Sequence, residues 1–301
     1  MISSEQNSPS NIELLAAQRQ LYATSKKVFG WQMILCGPLP VAGALLVIQQ
    51  PQLKAYFAAW GILVALCDHF VLTPWQKALR NKAAHIQEKF DCTVLQLPWN
   101  DLKAGKSPDP ELIKEQSDKY QSWAHEVNPL ENWYPAKVDE LPFPIARIVC
   151  QRVNCWWDSE QRRKYAGWIV GLLCSLLVIL GALALTVSIN VGDFLLICIA
   201  PVAPAVLIGL RQFREHTEAA ERLDKLKEHS VTLWKAALAG EAESIMTGRS
   251  RNLQDEILES RKKAPPVLDL IFRRLRKDYE RRMKYSADQY VAEAKAALNI
   301  K

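Results

Sequence analysis

WIVGLLCSLLVILGALALTVSINVGDFLLICIAPVAPAVLIGL, residues 168–210, decides how this chain folds. Its two apolar runs, 168–189 and 194–210, carry no charge and are parted only by Asn190-Val191-Gly192-Asp193. A hydrocarbon core about 30 Å thick is crossed by ~20 helical residues, and a helix satisfies its own backbone hydrogen bonds within one segment. The stretch therefore reads as a transmembrane hairpin. The alternative, a hairpin buried in a soluble core, is disfavoured because uncharged runs this long are rare there.

The same device occurs earlier in the chain. Residues 28–48 carry no charge, residues 49–54 make a polar turn, and residues 55–72 are interrupted only by Asp68 and His69. Four spans in two hairpins follow, at 28–48, 55–72, 168–189 and 194–210. Trp31, Trp75 and Trp168 fall at one set of ends and Tyr56 and Trp60 at the other, as interfacial aromatic belts require. The fold class expected is a mainly α polytopic membrane protein with a mostly helical cytoplasmic body.

Charge fixes the expected orientation. Of 38 Lys and Arg, only Lys54 lies in a hairpin turn and none lies in a span. By the positive-inside rule both termini and the long middle segment face the cytoplasm. The N-terminus opens polar, without the pattern of a cleavable signal peptide. The organisation is then a tail and amphipathic helix at 1–27, a hairpin at 28–76, a middle domain at 77–165, a second hairpin at 166–210 and a helical C-terminal region at 211–301.

Cysteine and histidine patterning narrows the chemistry. The seven cysteines include no CxxC pair, and a reducing compartment argues against disulfides. There is no HExxH, P-loop or GxGxxG turn, and no nucleophile and base stand at usable spacing. The expectation is a protein that is not an enzyme and has neither metal nor resident cofactor.

Taken in order, residues 1–9 look disordered, and Ser10 with Glu13 reads as a capping box opening a helix. That helix enters the first span, which Pro38 and Pro40 bend or break; Pro201 and Pro204 repeat the feature in the fourth. These prolines are either packing kinks or hinges of a pore. Asp68 and His69, near the inner end of the second span, are candidate pore groups, because ionisable groups in a span usually face protein or water. Snorkelling to the interface is the other reading.

In the middle domain, residues 90–97 are β-branched and aliphatic enough for a short strand closed by Pro98. Farther on, Arg147, Gln151, Asn154, Asp158 and Arg162 share one narrow helical face. Such a stripe is ordinarily solvated. Its sharper meaning is a ligand surface, with arginine for phosphate and amides for base edges or ribose, joined by Trp99 and Asn100. Near the C-terminus, Leu223, Leu226, Ser230, Leu233, Ala237 and Gly240 form a short heptad seam that packs in the body or on a second protomer. Residues 273–284 hold seven basic and two acidic side chains, a surface for anionic headgroups or an anionic messenger, or simply a solvated face.

Three separated stretches carry a resemblance: NIELLAAQRQLYATSKKVFGWQ (11–32), FDCTVLQLPWN (90–100) and VCQRVNCWWDSEQRRKY (149–165). Together they resemble the SMODS-associated four-transmembrane pore-forming effector family. The resemblance covers most of the chain. It implies a bacterial antiphage effector of the inner membrane, acting beside a cyclic-oligonucleotide synthase and perforating the membrane on infection. On that basis a cyclic oligonucleotide is the expected activating ligand, and the bilayer and other copies of the chain are the expected partners. No stable nucleic-acid partner is expected. A membrane-anchored scaffold that docks a cytoplasmic protein is the competing function.

Overall fold

The computed structural model describes residues 1–124, 130–187, 192, 195 and 199–300. Eleven α-helices are described: α1 Ile2–Gln6, α2 Pro9–Cys36, α3 Pro38–Gln49, α4 Lys54–Cys67, α5 Thr73–Val94, α6 Asp101–Ala104, α7 Pro110–Trp123, α8 Phe143–Val187, α9 Ala200–Leu238, α10 Glu243–Lys263 and α11 Asp269–Leu298. A π-helical turn, Asp68–Leu72, joins α4 to α5 without breaking the rod. No strand occurs among the described residues.

The polar segments of the chain form one body. Ile2 of α1, Leu15 of α2, Phe90 of α5, Ile148 of α8, Leu233 of α9, Leu253 of α10 and Ala287 of α11 all belong to a single apolar cluster. Leu223, Leu233 and Ala237 of the heptad seam lie in this core, so the seam packs inside the body. The helix bearing it ends in a Schellman motif: Gly240 has φ 84°, and the Glu241 N–H reaches the Ala236 carbonyl at 3.2 Å.

Above the body, apolar side chains face outward. Ile62, Leu63, Phe70, Leu172, Val178, Ile179 and Leu185 are all more than half exposed. A water-soluble protein would bury such a surface, whereas lipid accepts it. Among the described residues two helical stretches, Ala55–Val94 and Phe143–Ala182, are long and apolar enough to cross a membrane. The other two expected spans differ for distinct reasons. The first is broken at Gly37, so α2 ends there and Pro38 opens α3; a proline at the first helical position has no intrahelical N–H to lose. The fourth lies partly outside the described residues, as does most of the 190–193 turn, and α9 begins only at Ala200. Pro201 sits in the first turn of α9 and Pro204 is inside it.

Three local expectations are corrected. Residues 90–97 are not a strand: α5 continues to Val94 and closes in a Schellman motif, with Gln96 at φ 49° and the Leu97 N–H on the Cys92 carbonyl at 2.9 Å. Phe90, Val94 and Leu95 are buried, and packing of that helical face overrides β-propensity. Nor is the N-terminus disordered. Asp139 receives the N–H groups of Ile2 and Ser3 at 2.7 and 3.0 Å, and Gln6 exchanges two hydrogen bonds with the Tyr134 backbone. The α2 N-cap is Ser8 with Pro9 first in the helix, so Ser10 does not cap it.

Ile2 is fully buried, and truncating such a side chain typically costs about 2 to 5 kcal/mol. Ile2→Ala is expected to lower the thermal midpoint of the purified protein clearly, whereas Ser4→Ala, on an exposed position, leaves it within error.

Candidate functional site

Two polar constellations are built into the helices. The deeper one centres on two carboxylates of α5. Glu88 and Asp91, three residues apart, share one face and have no exposed surface. From α10, Arg251 donates to Glu88 and, at 2.9 Å, to Asp255, while Arg261 donates to Asp91 at 2.6 Å. Gln254 bridges both carboxylates at 2.9 and 2.8 Å, and the Tyr134 hydroxyl donates to Asp91 at 2.6 Å. Burial works against the charge on Arg261, but Asp91, Tyr134 and Glu88 more than offset it and its pKa is raised. Burial, with Asp91 beside it, likewise lifts the Tyr134 phenol well above its ordinary value.

Of the predicted stripe on α8, Gln151 and Asn154 face this network, and Arg147 and Arg162 are buried elsewhere along the helix. Gln151 donates to the Ser250 carbonyl at 2.8 Å and to Gln254 at 3.2 Å, and Asn154 donates to the Tyr134 hydroxyl at 2.9 Å. Arg147 donates to Thr247 at 3.1 Å and lies over the Phe143 ring. Asp158 pairs with Arg162 at 3.0 Å. Asn100 caps α6 and donates to Asp255 at 2.7 Å; Trp99 donates to the Gly105 carbonyl at 2.7 Å. Between α8 and α10, Arg147 Nε, Gln151 Oε1 and Ser250 Oγ are buried without hydrogen-bond partners. The seam thus keeps unused polar capacity.

The second constellation sits where the apolar helices leave the body. Gln32 of α2 donates to Asp68 at 2.7 Å and to Thr73 at 3.2 Å, and Gln76 donates back to Gln32 at 3.0 Å. Arg211 of α9 reaches Asp68 at 3.9 Å, so Asp68 links three helical rods at the π-turn. His69 is exposed and packs edge-on against Phe70. One turn deeper, Arg80 donates to the Ala264 carbonyl and Arg162 to that of Pro265, at 2.9 and 2.8 Å. Arg162 also approaches His216 Nδ1 at 3.4 Å, and the His216 ring packs on Tyr165. Burial and the cations Arg162 and Arg80 push the His216 pKa down to about 2.

Sequence patterning missed Glu88, Asp91, Arg251 and Arg261. The spacings were available, with Glu88 and Asp91 three apart and Arg251 and Asp255 four apart. What hid them was the reading of residues 90–97 as extended, which sends alternate side chains to opposite faces.

A helical body continuous with outward-facing apolar helices defines a polytopic α-helical membrane protein, with a polar latch where the two regions meet. A family model described as the SMODS-associating 4TM effector domain matches residues 1–290, and the chain belongs to that family. It is also similar to a protein of Bacillus cereus (strain VD146) described as "Probable CBASS effector molecule", at 22% identity over 259 residues, covering 84% of this chain and 85% of the relative. No solved structure matches it.

Arg261→Met would strand the buried Asp91 carboxylate, a change that typically costs about 3 to 5 kcal/mol. Loss of most of the folded fraction in a thermal or denaturant scan is expected, and Asp91→Asn is expected to destabilise as well, because it leaves the Arg261 guanidinium buried without its carboxylate. For His216 the pH response has a defined sign. Folded, the ring stays neutral to about pH 2; unfolded, it takes a proton near its ordinary value of 6.5. Its contribution is therefore complete above about pH 6.5 and falls as acid is added through that window. His216→Gln is expected to flatten the drop in thermal midpoint between about pH 7 and pH 5.

Proposed function

We propose that this protein is a non-enzymatic antiphage effector that permeabilises the bacterial inner membrane when a cyclic oligonucleotide reaches its cytoplasmic body. Family membership and the described relative support the effector role. The observation that carries the rest is continuity. α8 is a single helix of 45 residues whose first half lies in the charged core and whose second half is apolar and exposed. A change in the packing of the body against that rod is transmitted to the apolar end without a flexible joint.

In this reading the signal enters the seam between α8 and α10, where Arg147, Gln151, Asn154 and Asp158 are the candidate ligand groups and Trp99 and Asn100 flank the network. Separation of the two helices frees an arginine for phosphate and amides for the base or ribose edge. The spans then rearrange between copies of the chain, with Asp68 and His69 at the conduit and the prolines Pro38, Pro40, Pro201 and Pro204 as hinges. A π-turn at Asp68 fits such a role, since these turns recur at functional sites.

The decisive measurement is membrane potential in bacteria expressing the chain with and without a cyclic-oligonucleotide synthase. Depolarisation that requires the synthase is expected, and Arg147→Ala combined with Gln151→Ala abolishes it while leaving the protein in the membrane. Asp68→Asn is expected to change the leak itself, because it weakens the tie between α2, the π-turn and α9. An unchanged potential in every condition, with the protein confirmed in the membrane, would overturn the pore and leave a membrane-tethered scaffold.

A further inference from the structure

Beside the Asp68 latch lies a cavity of about 410 Å³ whose lining includes Lys77, Arg80, Arg211, Gln212 and Glu215. That volume falls in the usual range for a small-ligand site. Three lining residues are cationic, Lys77, Arg80 and Arg211, against one carboxylate, Glu215. Two buried groups have spare capacity there. Gln212 is 5% exposed with no hydrogen-bond partner for Oε1, and Arg80 is 5% exposed with none for Nε. Arg80 spends Nη1 on the Ala264 carbonyl, and Arg162, bonded to the next carbonyl at Pro265, approaches His216. His216 is kept neutral first by burial and then by the positive field of these two guanidiniums, and that field also favours an anion in the cavity.

The level of the cavity in the fold is informative. Trp75, half exposed, stands between the lining residues Pro74 and Gln76, and Trp31 adjoins Gln32, which is bonded to Gln76. Aromatic side chains of this kind mark the headgroup layer of a bilayer. Deep in the body Arg251 and Arg261 are matched by Glu88 and Asp91. At the cavity three cations meet two carboxylates, Glu215 in the lining and Asp68 beside Arg211, so one positive charge is left over.

We propose that this cavity binds a phosphate group, with Lys77, Arg80 and Arg211 as its cationic contacts and the Gln212 side chain turned to donate to a phosphate oxygen. The chemistry is shared by the phosphodiester of an anionic phospholipid headgroup and by a free phosphate compound. Occupancy would tie α5 to α9 at the point where both leave the body. The site is separate from the α8–α10 seam, and its test measures binding and not permeability.

The test uses the full chain purified in a neutral detergent and follows its thermal midpoint. One arm adds inorganic pyrophosphate with sodium chloride matched for ionic strength; the other adds short-chain phosphatidylglycerol against phosphatidylcholine. A rise in midpoint is expected in at least one arm, with none from chloride or phosphatidylcholine. Lys77→Gln and Arg211→Gln, both at accessible side chains, are each expected to raise the half-maximal concentration about tenfold, the worth of one charge-assisted hydrogen bond. A response to phosphatidylglycerol alone identifies a headgroup site, and one to pyrophosphate alone a soluble phosphate site. No rise in either arm, or a rise that both variants reproduce unchanged, overturns the proposal. Arg80→Lys keeps the charge while removing the fork and is expected to retain weakened binding, which separates loss of the site from loss of the fold.

Discussion

Glu88 and Asp91 set the constraint around which the body is arranged. Two carboxylates removed from water cost far more than any single apolar contact returns, so their placement demands cations and donors in fixed positions. α10 supplies Arg251, Gln254 and Arg261 along one face, and the loop before α8 supplies Tyr134. Tyr134 and Gln254 in turn hold Asn154 and Gln151 of α8, and Asp255 of α10 holds Asn100 beyond α5. The network thereby fixes the register of three helices against one another. Apolar packing alone tolerates small slips along a helix, whereas a buried ion pair does not.

The outward-facing region obeys a different solvent. Leu, Ile and Val side chains that would be buried in a soluble protein are displayed on α4 and α8. Polar bonding returns abruptly at Gln32, Asp68, Thr73, Gln76 and Arg211. The boundary between the two regimes is thus a layer of side-chain hydrogen bonds that joins α2, α5 and α9. It is also where the cationic cavity opens and where the π-turn interrupts the regular helix.

Much of this was legible in the chain because lipid exposure and helix formation are written locally. Uncharged runs, flanking cations and interfacial tryptophans each depend only on neighbouring residues. The break at Gly37-Pro38 was legible for the same reason, since proline acts on its own turn. The stripe from Arg147 to Arg162 was legible as one helical face, but not its burial, which depends on α10 arriving against it from about a hundred residues away. The helix over 90–94 was misread because its β-branched residues suit a strand in isolation. Only contact with α10 and the 130–135 loop rewards the helical alternative.

The sequence by itself determined that the chain is helical and built to meet a membrane, because a 3.6-residue period and an uninterrupted apolar run leave few other solutions. Tertiary structure decided that residues 1–9, the middle segment and the C-terminal helices are one body. It also decided that charges far apart in the chain neutralise each other, and that Lys77, Arg80 and Arg211 surround a common space. The physical reason is that these features rest on long-range electrostatic pairing, whose energy depends on distance and burial in three dimensions and leaves no periodic trace along the chain.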